Sequence, residues 1–91
     1  MITSFRHAGL KEMYEGNPRK IESSLRKGVA TRLAALDAAG TIEDLRLPAY
    51  RLHELKGERA GTWSIQVSGN WRMTFRFEDA NVCDLDFEDY R

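Results

Sequence analysis

The spacing of apolar residues changes at Pro48, and no other feature constrains the fold of this chain as strongly. Ahead of Pro48 apolar side chains recur at helical intervals. Leu10, Met13 and Tyr14 fall on one side of a short helix that Gly16 would end. Asn17-Pro18 offers a cap followed by a proline suited to a first helical position, and Ile21, Leu25, Val29, Leu33 and Leu36 line one face up to Gly40. This predicts a second and longest helix, in which Gly28 costs about 1 kcal/mol relative to alanine. Thr41–Arg46 adds one further turn.

After Pro48 the period falls to two. Trp63, Ile65 and Val67 alternate with Thr62, Ser64 and Gln66; Ser68-Gly69-Asn70 reads as a three-residue turn, and Trp71, Met73, Phe75 and Phe77 resume the alternation. The last strand would carry Cys83, Leu85 and Phe87 inward. With an extended Ile2–Phe5 segment and a strand over Tyr50–Leu55, the order is strand, two helices, then four strands. The class is α+β, a mostly antiparallel sheet covered by helices. Both tryptophans share the apolar faces of their strands and read as core or core-edge residues.

A length of 91 residues with 42% apolar content supports one core, so residues 1–91 form a single domain. The lone Cys83 excludes an internal disulfide and a Cys-rich zinc pattern, and suits a reducing compartment. No stretch approaches the roughly 20 apolar residues of a membrane span. The expectation is a soluble, cytoplasmic protein with no membrane partner.

Zero net charge conceals a division along the chain. Residues 1–76 hold 13 of the 14 Lys and Arg against 8 acids, while residues 78–91 hold 6 acids and only Arg91. A basic body and an acidic final strand leave two readings open: a surface for nucleic acid, or acids that neutralise basic neighbours. If apolar residues pair with apolar residues across the second hairpin, Phe77 faces Cys83, Phe75 faces Leu85, Arg72 faces Glu88 and Arg76 faces Asp84. Arg72 and Arg76 are then either cross-strand ion-pair partners or groups that bind a ligand. His53 and Lys56 lie at a strand end and the loop after it, where function often resides, whereas His7 reads as a bystander. No Asp/Glu/His spacing suggests a metal site, and Gly57, Gly61 and Gly69 fall in turns rather than in a phosphate-binding loop.

The stretches Leu52-His53-Glu54-Leu55-Lys56-Gly57, Gly61-Thr62-Trp63-Ser64-Ile65, Asn70-Trp71-Arg72-Met73-Thr74-Phe75 and Glu88-Asp89-Tyr90 together resemble the HigB toxins of the RelE superfamily. The opening Ile2–Leu10 and the helix end Leu36-Asp37-Ala38-Ala39 resemble that family too. The resemblance implies a RelE-like fold and a ribosome-dependent endoribonuclease that cleaves mRNA in the decoding site, paired with a helix-turn-helix antitoxin. It carries the family's functional positions onto His53, Lys56, Arg72, Asp89 and Tyr90. The family's usual terminal Asp-Tyr-His reads Asp89-Tyr90-Arg91 here, one imidazole short.

The residue types suit RNA cleavage without a cofactor, in which the 2′-hydroxyl attacks the adjacent phosphorus. A histidine exchanges protons near neutral pH and is the candidate base at His53. Lys56 and Arg72 would oppose charge on the non-bridging oxygens. Tyr90 would donate a proton or position the nucleotide, and Asp89 would orient a basic neighbour or help with proton transfer. Arg59, Arg76 and Arg91 are candidates for phosphate contacts. A toxin that acts by contact alone on the same fold, such as a gyrase-type inhibitor, or an inactive relative is the alternative.

Overall fold

A computed structural model describes residues 1–90; Arg91 lies outside the described residues. Helix α1 spans Ala8–Tyr14 and α2 spans Arg26–Ala38, followed by strands β1 (His53–Glu54), β2 (Trp63–Ser68), β3 (Trp71–Glu78) and β4 (Asn81–Asp89). The strands form one antiparallel sheet in the order β1-β2-β3-β4. The N-terminal segment adds parallel bridges from Ile2 to Val82 and from Phe5 to Leu85. The α+β order is as the apolar spacing predicts.

Alternation sorts the strand residues into two faces. Ile65, Val67, Met73, Phe75, Leu85 and Phe87 are buried with Leu10, Val29, Leu33 and Leu36 of the helices, and Trp63 and Trp71 pack at the margin of this core. Helix α1 is fixed at its start by His7, whose Nδ1 accepts the Leu10 N–H at 3.1 Å while its ring meets Phe87 edge-on at 5.7 Å. Gly9 sits so close beneath that ring that a Cβ would lie 2.8 Å from His7 Cε1. His7 thus belongs to the scaffold. Arg32 ties α2 to the sheet, donating from Nε to the Gln66 carbonyl at 2.7 Å with its guanidinium over the Tyr50 ring.

Four local expectations are corrected. The second helix begins at Arg26 rather than beside Pro18, because Glu22 is extended (ψ 134°) and Ser23–Leu25 forms a 3-10 turn. Ile21 and Leu25 reach the core from turns, so their spacing mimics a helix without requiring one. The Tyr50–Leu55 strand shrinks to His53–Glu54, since Pro48–Tyr50 is a 3-10 turn and Arg51 takes a left-handed conformation (φ 48°) that breaks the extended run. The first hairpin turns through Gly69-Asn70 alone, between paired Ser68 and Trp71, with positive φ at Gly69.

The fourth correction concerns the second hairpin. Arg72 faces Glu88 as expected, but Arg76 faces Cys83 and Phe77 faces Val82, one residue out of the simple register. A bulge at Asp84 (φ 54°) absorbs the extra residue. Val82 therefore points into the core, fully buried, in the place expected for Cys83, which is only partly covered. The bulge also turns the Asp84 N–H to Ser4 Oγ (2.8 Å) and the Leu85 N–H to the Ser4 carbonyl (3.1 Å), anchoring the N-terminal segment. Arg76 consequently has Glu78 as its ion-pair partner instead of Asp84.

Candidate active site

The sheet face turned away from the helices carries the polar residues of the same strands. His53, Ser64, Thr74 and Asp86 follow one another across it, and beside them lies the row Gln66, Arg72 and Glu88. Ser64 and Thr74 are as buried as core residues, at 1% and 2% exposed, although they are polar and point away from the core. The connection between β1 and β2 accounts for this. It folds back over the face, and its Arg59, in a 3-10 turn spanning Gly57–Arg59, reaches Glu88 on β4, two strands beyond β2.

Glu88 gathers two arginines. Arg59 donates from its two terminal nitrogens to the two carboxylate oxygens, at 2.9 and 3.2 Å. Arg72 donates through Nε (2.9 Å) and Nη2 (2.6 Å), both to Oε1. The face of the Arg72 guanidinium lies 4.6 Å from the centre of the Tyr90 ring, a cation–π stack. Tyr90 is itself exposed, with its backbone N–H held by the Asn70 carbonyl at 3.0 Å. Hydrogen bonds from Arg59, and then from Arg72, hold the Glu88 carboxyl below the usual carboxylate range. The same bond raises Arg59 above its ordinary value, with Asp86 adding to the effect. The acidic strand therefore does neutralise basic neighbours, and the neighbours are candidate site residues.

His53 is exposed on β1, and its Nδ1 lies 3.0 Å from the Arg51 carbonyl. A carbonyl only accepts, so Nδ1 carries a proton, and Nε2 is the ring nitrogen left to exchange a proton with a ligand. Lys56 is exposed where the connection leaves β1, at the start of the 3-10 turn. His53 and Arg72 stand two strands apart and one pleat repeat along, about 12 Å between backbones from standard sheet spacings. Two more candidates fall outside the cluster. Asp89 shares its parity with Phe87 and pairs with Trp71, which puts it on the helix-covered face, and Arg76 is exposed toward the far end of β3. Arg91 lies outside the described residues. Glu88, which brings the arginines together, is the residue that sequence reasoning saw only as an ion-pair partner.

Among the described residues no three His, Cys, Asp or Glu side chains are grouped to hold a metal ion, and no helix is long and apolar enough to cross a membrane. Residues 3–90 match the model of the HigB-like family, described as RelE-like toxins of type II toxin-antitoxin systems HigB. The chain belongs to this family. It is 43% identical to Endoribonuclease HigB of Proteus vulgaris over 91 residues, covering 99% of both chains. It is also 34% identical to Toxin HigB-1 of Vibrio cholerae over 82 residues, covering 87% of this chain and 86% of that one. Among solved structures, YafQ of E. coli superposes with a TM-score of 0.65 at 13% identity, over 98% of this chain and 91% of that one. A dimeric YoeB from Staphylococcus aureus gives 0.63 at 16%, over 99% and 94%. At such identities these two speak for the RelE-like fold alone.

Proposed function

We propose that this HigB-like toxin is an endoribonuclease that cleaves mRNA on the ribosome, in the cytoplasm, and is restrained by a cognate helix-turn-helix antitoxin. The single observation that carries the catalytic reading is the open sheet face. There an arginine is held edge-on by Glu88 and face-on by Tyr90, while a histidine on the edge strand β1, two strands away, turns Nε2 outward. The name of the Proteus relative, an endoribonuclease at 43% identity over the full length, supports the same reaction. A YoeB from S. aureus has been solved in complex with YefM, and family membership in a toxin-antitoxin system supports a protein antitoxin here.

The reaction needs three things from the protein. His53 Nε2 accepts the proton of the substrate 2′-hydroxyl, whose oxygen attacks the adjacent phosphorus. Arg72 opposes the charge that gathers on the non-bridging oxygens, with Lys56 of the β1–β2 connection and Arg59, bound to the same Glu88, adding positive charge to the face. The P–O5′ bond breaks, and the leaving oxygen takes up a proton from the Tyr90 hydroxyl or from water, leaving a 2′,3′-cyclic phosphate on one fragment and a 5′-hydroxyl on the other. Tyr90 is the candidate platform for the nucleotide at the cut, because its exposed ring backs the Arg72 guanidinium. Arg76 and Arg91 are the candidates for flanking phosphates, and Asp89, from its position next to Tyr90, for a supporting role in proton transfer. The ribosome would supply what so open a face lacks, a substrate bent and held for in-line attack.

Mapping 5′ ends on one messenger, incubated with purified toxin in the presence and absence of translating ribosomes, tests this. Cuts are expected only with ribosomes and in register with the reading frame. Equal cutting of naked RNA would remove the ribosome from the proposal, and no cutting under either condition would favour a toxin that acts by contact alone.

A further inference from the structure

We infer that Glu88 is a positioning residue of the cleavage reaction: it sets the Arg72 guanidinium so that its remaining edge meets the scissile phosphate. The inference rests on the nuclease reading of this face.

An arginine guanidinium has two faces and two donor edges, and here one face and one edge are already occupied within the protein. Glu88 Oε1 takes the edge formed by Nε and Nη2, and the Tyr90 ring takes one face. Nη1 has no hydrogen-bond partner among the described residues, so the end-on edge formed by Nη1 and Nη2 is the one open to a ligand. An end-on fork suits two oxygens of one phosphate. The side chain is well enclosed for a cation on an open sheet face, at 15% exposed, and Glu88 is 25% exposed. Arg59 is used in the opposite way. Its end-on fork is spent on the two oxygens of Glu88, and it is 43% exposed. One carboxylate thus orients the first arginine while leaving it a binding edge, and occupies the binding edge of the second.

Orientation and charge make separable demands on residue 88. A glutamine keeps an oxygen able to accept from Arg72 Nε and Nη2 but removes the negative charge, whereas an alanine removes both. If Glu88 acts by orienting Arg72, the two variants differ in turnover although their charge is the same. If Glu88 instead competes with RNA for the arginines, both variants bind and cleave better than wild type.

The experiment is single-turnover cleavage of ribosome-bound messenger by full-length wild type, Glu88→Gln and Glu88→Ala over a range of toxin concentrations, separating the saturating rate constant from the half-saturating concentration. Glu88→Gln is expected to hold the rate constant within about 3-fold and to half-saturate at lower concentration, its face having gained a net positive charge. Glu88→Ala is expected to lower the rate constant by about 10²-fold, the scale of a displaced reacting group, with half-saturation following the glutamine variant. Folding is checked by the melting midpoint. A parallel readout independent of cleavage is hydrogen exchange at Arg72 Nε–H, assigned by its loss in Arg72→Lys: slow in wild type and Glu88→Gln, fast in Glu88→Ala. A Glu88→Ala protein that is folded and cleaves at the wild-type rate or faster overturns the positioning role while leaving the nuclease reading intact. A wild type that cuts nothing overturns both.

Discussion

The two faces of the sheet are written in alternate residues of the same strands, yet they are held together by different physics. On the helix-covered face Met73, Phe75 and Leu85 have no exposed surface, and their geometry is fixed by close packing. On the open face the corresponding residues are Arg72, Thr74 and Glu88, and the geometry is fixed by charge-assisted hydrogen bonds and one ring contact. Packing tolerates no vacancy, whereas an ion pair near water contributes little to stability even when it fixes a direction well. The faces should therefore separate stability from catalysis.

The largest effect expected is on the packed face. Phe75→Ala should cost about 3–5 kcal/mol, the usual range for emptying a fully buried aromatic position. Because β3 also carries Arg72, activity should fall in proportion to the folded fraction and return on cooling. Urea unfolding followed alongside cleavage would check this. A variant that is fully folded yet inactive would break the separation, since it would mean that the packed face feeds directly into the chemistry.

On the open face the order reverses. Arg72→Ala should lower the saturating cleavage rate by about 10³-fold, as expected for removing a donor aimed at developing charge, while changing stability by less than about 1 kcal/mol. Lysine should restore only part of the rate, since it has neither the edge that Glu88 grips nor the flat face that Tyr90 backs. A destabilised Arg72→Ala protein that cleaves normally at low temperature would return the residue to a purely structural role. His53→Gln is a milder case, expected to slow the reaction by about 10²-fold with unchanged ribosome binding. Unaltered turnover would move the base away from β1.

Much of this division is legible in the residues. The alternation of Trp63, Ile65 and Val67 and of Trp71, Met73 and Phe75 identifies the packed face, and the same pattern places Arg72 opposite Glu88. It also contains a fact that is easily passed over: Asp89 has the parity of Phe87, so it cannot share a face with Arg72 while the strand stays regular. What the pattern cannot carry is anything that changes the parity. The Asp84 bulge exchanges Cys83 for Val82 in the core, and no glycine announces it; the anchor is Ser4, 80 positions away. Nor does local spacing distinguish a helix from a pair of turns that bury Ile21 and Leu25. The contact between Arg59 and Glu88 depends on a loop folding over a sheet, which has no periodicity at all. Loops set by long-range ion pairs are where reading from the residues stops.

The smallest effect expected lies in acid, and it compares one carboxylate from each side of the molecule. Asp37 on α2 accepts the Ile2 N–H at 3.0 Å and the Tyr14 hydroxyl at 2.8 Å, and the Ile2 bond first, then the Tyr14 bond, holds its carboxyl below the ordinary value. Glu88 is lowered by its two arginines. A carboxyl whose folded value lies below its unfolded one stabilises the protein fully above the unfolded value, about 4 for these groups, and that contribution is lost as pH falls through the folded value. Both groups should thus leave stability flat between pH 7 and 5 and reduce it below about 4. Their variants should part company on activity. Asp37→Asn should remove part of the acid loss of stability, lower the neutral melting midpoint slightly because the bonds from Ile2 and Tyr14 are no longer charge-assisted, and leave cleavage untouched. Glu88→Gln should also remove part of the acid loss, but should tighten binding to ribosome-bound messenger at neutral pH. Melting midpoints from pH 3 to 7 for both variants, with cleavage measured at pH 7, provide the comparison. If Asp37→Asn altered cleavage as much as Glu88→Gln, the two faces would be coupled through α2, and the separation proposed for them would fail.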